Sequence, residues 1–185
     1  MVHFFGGGTA GFISGVISLA VYLLQSYAIY KVSVVRSLPN PIFAFIPFFQ
    51  LFMLGQIGDS LRYKKPTIDN LLGSIPLAYA LPLLSIITAI LAYPFSLLGS
   101  LLTSLGTIIV YYLLFSFYTP KQAILFTAIS SLSLIMVILS ILSSLPLIGG
   151  VFVVIASVLS ILTALTPVVG PLLILYAVKD YKKYY

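Results

Sequence analysis

Residues 70–120 carry no formally charged side chain, and neither do residues 122–178. One helical crossing of a bilayer takes about 20 apolar residues, so each stretch is long enough to cross twice and turn between crossings. Of the 185 residues, 61% are hydrophobic and 6% charged, whereas an ordinary soluble domain carries roughly 25% charged residues. A soluble core has no use for so much apolar surface. Runs such as Leu134 to Leu142 (LIMVILSIL) are apolar on every side, which favours helices over the alternating strands of a transmembrane barrel. Glycine and proline inside these runs suit membrane helices, where neighbouring helices re-satisfy the backbone. The expectation is an all-α, polytopic transmembrane helix bundle formed by one domain, residues 1–185.

Along the chain, apolar spans are expected at residues 12–30, 70–92, 95–118, 123–145 and 151–178. The first should end at Lys31, Pro76 and Pro82 should kink the second, and the last should break within Thr166 to Pro171. The segment 42–58 differs from all of these. As one helix it would be about 25 Å long, short of a hydrocarbon core of about 30 Å, and Pro47 and Gln50 sit near its middle. Asn40-Pro41 reads as an N-cap followed by proline in the first helical turn. Cations flank the segment on both sides, Lys31 and Arg36 before it and Arg62, Lys64 and Lys65 after. Because Lys and Arg collect in cytoplasmic loops, both ends want the same side, so 42–58 is expected to be a re-entrant or interfacial element. Five crossings then leave all nine Lys and Arg, the basic loops and the C-terminus cytoplasmic in a multi-pass cell-membrane protein. The alternative is six spans, with 42–58 crossing.

A net charge of +6 could suggest nucleic acid, but the cations lie in short clusters between apolar segments. The expected partners are instead the lipid bilayer and anionic lipid head groups at Lys31, Arg36, Arg62, Lys64, Lys65, Lys182 and Lys183, with no nucleic acid. No cysteine is present, which removes thiolate chemistry and disulfides. The N-terminus lacks a charged leader region with a cleavage motif, so the first span is expected to act as its own insertion signal.

Three stretches are similar to sequences of small, largely uncharacterised multi-spanning bacterial membrane proteins. They are Arg36 to Asp59 (RSLPNPIFAFIPFFQLFMLGQIGD), Phe117 to Phe126 (FYTPKQAILF) and Gly170 to Tyr181 (GPLLILYAVKDY). The shared pattern is a basic cluster, an aromatic-Ile-Pro segment, then Leu-Gly and a nearby Asp. The resemblance implies a fold type and a basic cytoplasmic face, and it implies no activity.

Residues able to carry catalysis are scarce. The chain has no Glu, a single His at position 3 and three Asp near the expected loops. Gly55-Gln56-Ile57-Gly58-Asp59 resembles faintly the glycine-aspartate motif of intramembrane aspartyl proteases, but Gln56 replaces their first glycine and no second span carries an aspartate for a two-carboxylate mechanism. Asp59 reads instead as a helix-end residue pairing with Arg62 or Lys31. Serines without an intramembrane base are not activated nucleophiles. No catalytic, cofactor or metal site is expected, and no span holds the ionisable group that coupled carriers usually keep.

Small residues do recur at helical spacing. Gly7, Gly11 and Gly15, with Ser14 and Ser18 beside them, form one expected packing face, and Gly150, Ser157 and Ala164 form another. Ser130, Ser133, Ser140 and Ser144 share a further stripe. The leading expectation is therefore a non-enzymatic structural or accessory subunit, packing as a homo-oligomer or within a membrane-protein complex. The alternative is a small-solute channel or uncoupled transporter, with a polar cavity near Pro76/Pro82 or Pro167/Pro171 and a candidate solute path at Gln50, Thr163 and Thr166.

Overall fold

The computed structural model of the protein describes residues 9–90, 95–143 and 149–181, and these are all-helical, with no strand among them. Helix α1, Thr9–Val35, leads to a 3-10 turn at Pro41–Phe45 and then to α2, Pro47–Leu61. A short α3, Pro66–Leu72, precedes α4, Leu77–Ile90, and α5 runs Phe95–Tyr118. The remaining helices are α6, Ala123–Ser130, α7, Leu132–Ser143, α8, Gly149–Thr163, and α9, Thr166–Val178.

Two helical stretches, Ser14–Val35 and Ser96–Tyr118, are long and apolar enough to cross a membrane. The count rises to four if two bent pairs each make one span: α3 with α4, bent by 50°, and α6 with α7, bent by 51°. Several boundaries differ from the sequence expectation. Helix α1 runs through Lys31 to Val35, because one cation on a surface helix does not interrupt its backbone. The stretch 70–92 is divided where Gly73 takes φ 55° and ends α3, a left-handed conformation that glycine adopts at little cost; Pro82 lies inside α4. The stretch 123–145 is divided at Ser131, where no proline or glycine announces a break. The stretch 151–178 is two helices, separated at Ala164 and Leu165, so the break falls just ahead of Pro167 and Pro171. Asn40 has left-handed backbone and makes no side-chain cap; the first α-helical turn after it begins instead at Pro47, behind the extended Ile46.

The segment between Arg36 and Arg62 folds back on itself. At its middle, Tyr22 Oη of α1 donates to the carbonyl of Phe45 at 2.8 Å, and Gln50 Nε2 lies 3.4 Å from Ser26 Oγ. At its ends, Arg36 Nε donates to Ser60 Oγ at 3.2 Å and Arg36 Nη2 donates to the Ser60 carbonyl. The chain therefore descends beside α1 as the 3-10 turn, reverses at Ile46 and returns as α2. Helix α4 then packs closely along α2. A Cβ on Gly55 would fall about 2.5 Å from Ala78 Cα, so only glycine allows this approach.

The same end of the bundle gathers charge and aromatic rings. The Arg36 guanidinium lies 5.2 Å from the Phe117 ring centre, Lys64 Nζ 6.0 Å from the same ring and Lys65 Nζ 5.7 Å from that of Tyr112. Tyr118 meets Tyr181 edge-on at 4.6 Å, bringing the end of α9 to the end of α5. Beneath this layer the core contains Ile29, Met53, Ile57, Leu81, Leu114, Phe115 and Ile174, all at most 2% exposed.

A hydroxyl-lined cavity as candidate functional site

Seven helices contribute to one partly open cavity of about 400 Å³. Gln25 reaches it from α1, Leu51 and Leu54 from α2, and Ser85 and Thr88 from α4. Helix α5 supplies Ser100, Thr103, Ser104, Thr107 and Tyr111, which recur at three- and four-residue steps and so share one helical face. Ser130 closes α6 at the wall, Ser133 and Leu134 begin α7, and Thr166, Pro167, Gly170 and Pro171 come from the first turns of α9.

Local backbone explains why hydroxyls can stand here at little cost. Ser85 donates to the Pro82 carbonyl at 2.8 Å, Thr88 to Leu84 at 2.8 Å and Ser100 to Leu97 at 2.9 Å. Thr103 donates to Gly99 at 2.8 Å and Thr107 to Thr103 at 2.9 Å. Each proton is thus satisfied within its own helix, a common habit of Ser and Thr in membrane helices. Ser130 is different. Its Oγ is buried and has no hydrogen-bond partner, as is true of neighbouring Ser131. Among the described residues, no Lys, Arg, Asp or His lines the cavity.

Comparison with known protein families, curated proteins and solved structures gives no match. The site's meaning therefore rests on its geometry.

Of the candidate solute-path residues, Thr166 is at the cavity and 4% exposed. Gln50 and Thr163 are not among the lining residues: Gln50 turns toward Ser26, and Thr163 Oγ1 donates to the Ser160 carbonyl at 2.6 Å. The serine stripe of residues 130, 133, 140 and 144 contributes its first two members. The α5 stripe went unremarked in the sequence, although hydroxyls at 100, 103, 104 and 107 in an otherwise apolar span are a periodic signal.

The expected packing faces find little within the chain. A Cβ at Gly15 would meet nothing within 4 Å, and Ser14, Ser18, Ser157 and Ala164 are exposed. His3, Gly7, Ser144, Lys182 and Lys183, and the surroundings of Gly11 and Gly150, lie outside the described residues. The Gly55 to Asp59 stretch has a structural role. Asp59 Oδ1 accepts from Leu77 N at 3.0 Å and Oδ2 from Ala78 N at 2.9 Å, so both carboxylate oxygens cap the start of α4. Arg62 braces the same corner through Asp69 at 3.1 Å, the Ile75 carbonyl at 3.0 Å and Asp59 at 3.7 Å.

Proposed function

We propose that this chain is a non-enzymatic multi-pass membrane protein that binds and passes a small uncharged polar solute, as a channel or uncoupled transporter. The observation that carries this reading is the cavity, whose polar lining is hydroxyls and one amide from six helices, with no ionised side chain among the described residues. This partly open cavity of about 400 Å³ is many times the roughly 10–15 Å³ that one water needs on the same measure, so a solute of several heavy atoms fits with part of its hydration. The helical breaks at Ser131 and Leu165, next to the lining residues Ser130 and Thr166, fit the way membrane carriers place irregular backbone beside a cavity.

In this reading the bundle makes five crossings, with the bent pairs and the α8–α9 stretch each counted as one, and 42–58 is re-entrant. The end carrying Arg36, Lys64, Lys65, Lys121 and Lys179 is cytoplasmic, where its cations meet anionic lipid head groups. A second reading, an accessory or oligomeric subunit, is favoured by the open face at Gly15.

Osmotic swelling of proteoliposomes in glycerol separates the two. The channel reading expects glycerol entry faster than in empty liposomes, and entry reduced to the empty-liposome rate by Thr166→Val, which removes a hydroxyl at constant shape. Protein-containing vesicles no more permeable than empty ones to glycerol and to other small neutral polar solutes alike would overturn it and leave the accessory role.

A further inference from the structure

We infer that the cavity selects its solute by hydrogen-bond donors, and that the solute class is urea and small primary amides. The inference rests on the solute-passing reading above and specifies what passes. A hydroxyl has one proton and two lone pairs. At Ser85, Thr88, Ser100, Thr103 and Thr107 the proton is committed to a carbonyl of the same helix at 2.8–2.9 Å, so the cavity is offered only the lone pairs. Five acceptors on two facing helices suit a molecule rich in N–H groups.

Along this α4–α5 wall, a solute presenting only acceptors would meet oxygen against oxygen. To gain a bond it must draw a proton away from a helix carbonyl, and a polar group buried without a partner is costly. Gln25, whose amide reaches the same cavity from α1, supplies the complementary element: its N–H groups suit the single carbonyl oxygen of an amide or urea. Neutral solutes are preferred to cations of similar donor character, because no carboxylate among the lining residues offsets the desolvation of an ion at membrane depth.

The test compares urea with trimethylamine N-oxide, net-neutral solutes of similar size, of which the second is an acceptor only. Stopped-flow light scattering of proteoliposomes is expected to show urea flux above that of empty vesicles and N-oxide flux equal to it. Thr103→Val and Thr107→Val each remove one acceptor and should lower urea flux about three- to tenfold, the worth of one neutral hydrogen bond. Thr103→Ser and Thr107→Ser keep the oxygen and should retain wild-type flux.

Equal flux of urea and the N-oxide, or serine variants as impaired as the valine ones, would overturn donor selection while leaving solute passage intact. A potassium or ammonium conductance with urea excluded would also overturn it. Absence of flux for urea, the N-oxide and glycerol alike would instead sink the solute-passing reading itself.

Discussion

Replacing Asp59 with alanine removes the acceptor of two backbone amides at once. Leu77 and Ala78 open α4, and their N–H groups are among those a helix start leaves without intrahelical partners; here they are met at 3.0 and 2.9 Å by the two oxygens of one carboxylate. A hydrogen bond to a charged group contributes about 1.5–3 kcal/mol and a lost helix cap costs about 0.5–2 kcal/mol. The Asp59 side chain is 24% exposed, so water partly replaces what is lost, and a total near 2–3 kcal/mol is expected for the pair. For a chain of this size each kcal/mol moves the midpoint by roughly 2–4 °C, which gives a fall of about 5–10 °C. Far-ultraviolet circular dichroism of the detergent-solubilised protein on heating measures it. Asp59→Asn keeps one acceptor oxygen and should fall between wild type and alanine. A midpoint for Asp59→Ala within about 1 °C of wild type would refute the capping argument, since the energies above leave no room for so small a shift.

Two further outcomes follow from the packing and the charge pattern. Gly55→Ala would place its Cβ against Ala78 Cα and the Leu77 carbonyl, forcing α2 and α4 apart at about 1–3 kcal/mol; Gly15→Ala, with nothing within 4 Å, should leave stability equal or slightly raised through better helix propensity, and the reverse ranking in thermal unfolding would count against the close approach. Since the chain has no cysteine, Ser37→Cys and Thr119→Cys can be introduced singly; both are expected to react with an impermeant maleimide only after intact cells are permeabilised, and labelling of Ser37→Cys from outside would replace the re-entrant segment with a sixth crossing.

What could be read in advance follows the hardest physical constraints. The bilayer penalises charge so strongly that the uncharged runs declare membrane helices, and α5 appears with its expected bounds of 95 and 118. Proline also declares itself: Pro47 starts α2 at the reversal. The break at Ser131 does not, because its neighbours Ile129, Ser130 and Leu132 are compatible with continuous helix, and the bend sits where Ser130 packs against Gly170 in α9, a Cβ there falling 3.6 Å from Ser130 Cα. Tertiary contact has set a boundary that local propensity leaves open.

The α5 wall of the cavity is hidden for a related reason, whereas its side at Thr166, Pro167 and Pro171 lies where the sequence expects a polar cavity. Ser157 donates to Val153 at 2.8 Å on an exposed face, and Thr107 donates to Thr103 at 2.9 Å on a buried one. The two hydroxyls have the same local chemistry, and only the helices opposite them differ. A hydroxyl stripe in an apolar span therefore cannot by itself distinguish an outward-facing surface from a cavity wall. The distinction arises when α4, α6 and α9 bring Ser85, Thr88, Ser130 and Thr166 to the α5 stripe, an arrangement that depends in part on the bend at Ser131, where the sequence carries no mark. It also explains why the stripe is tolerated at all. Back-bonded hydroxyls cost each helix little on insertion, whereas after assembly their outward lone pairs form the polar part of the cavity wall in an otherwise apolar bundle.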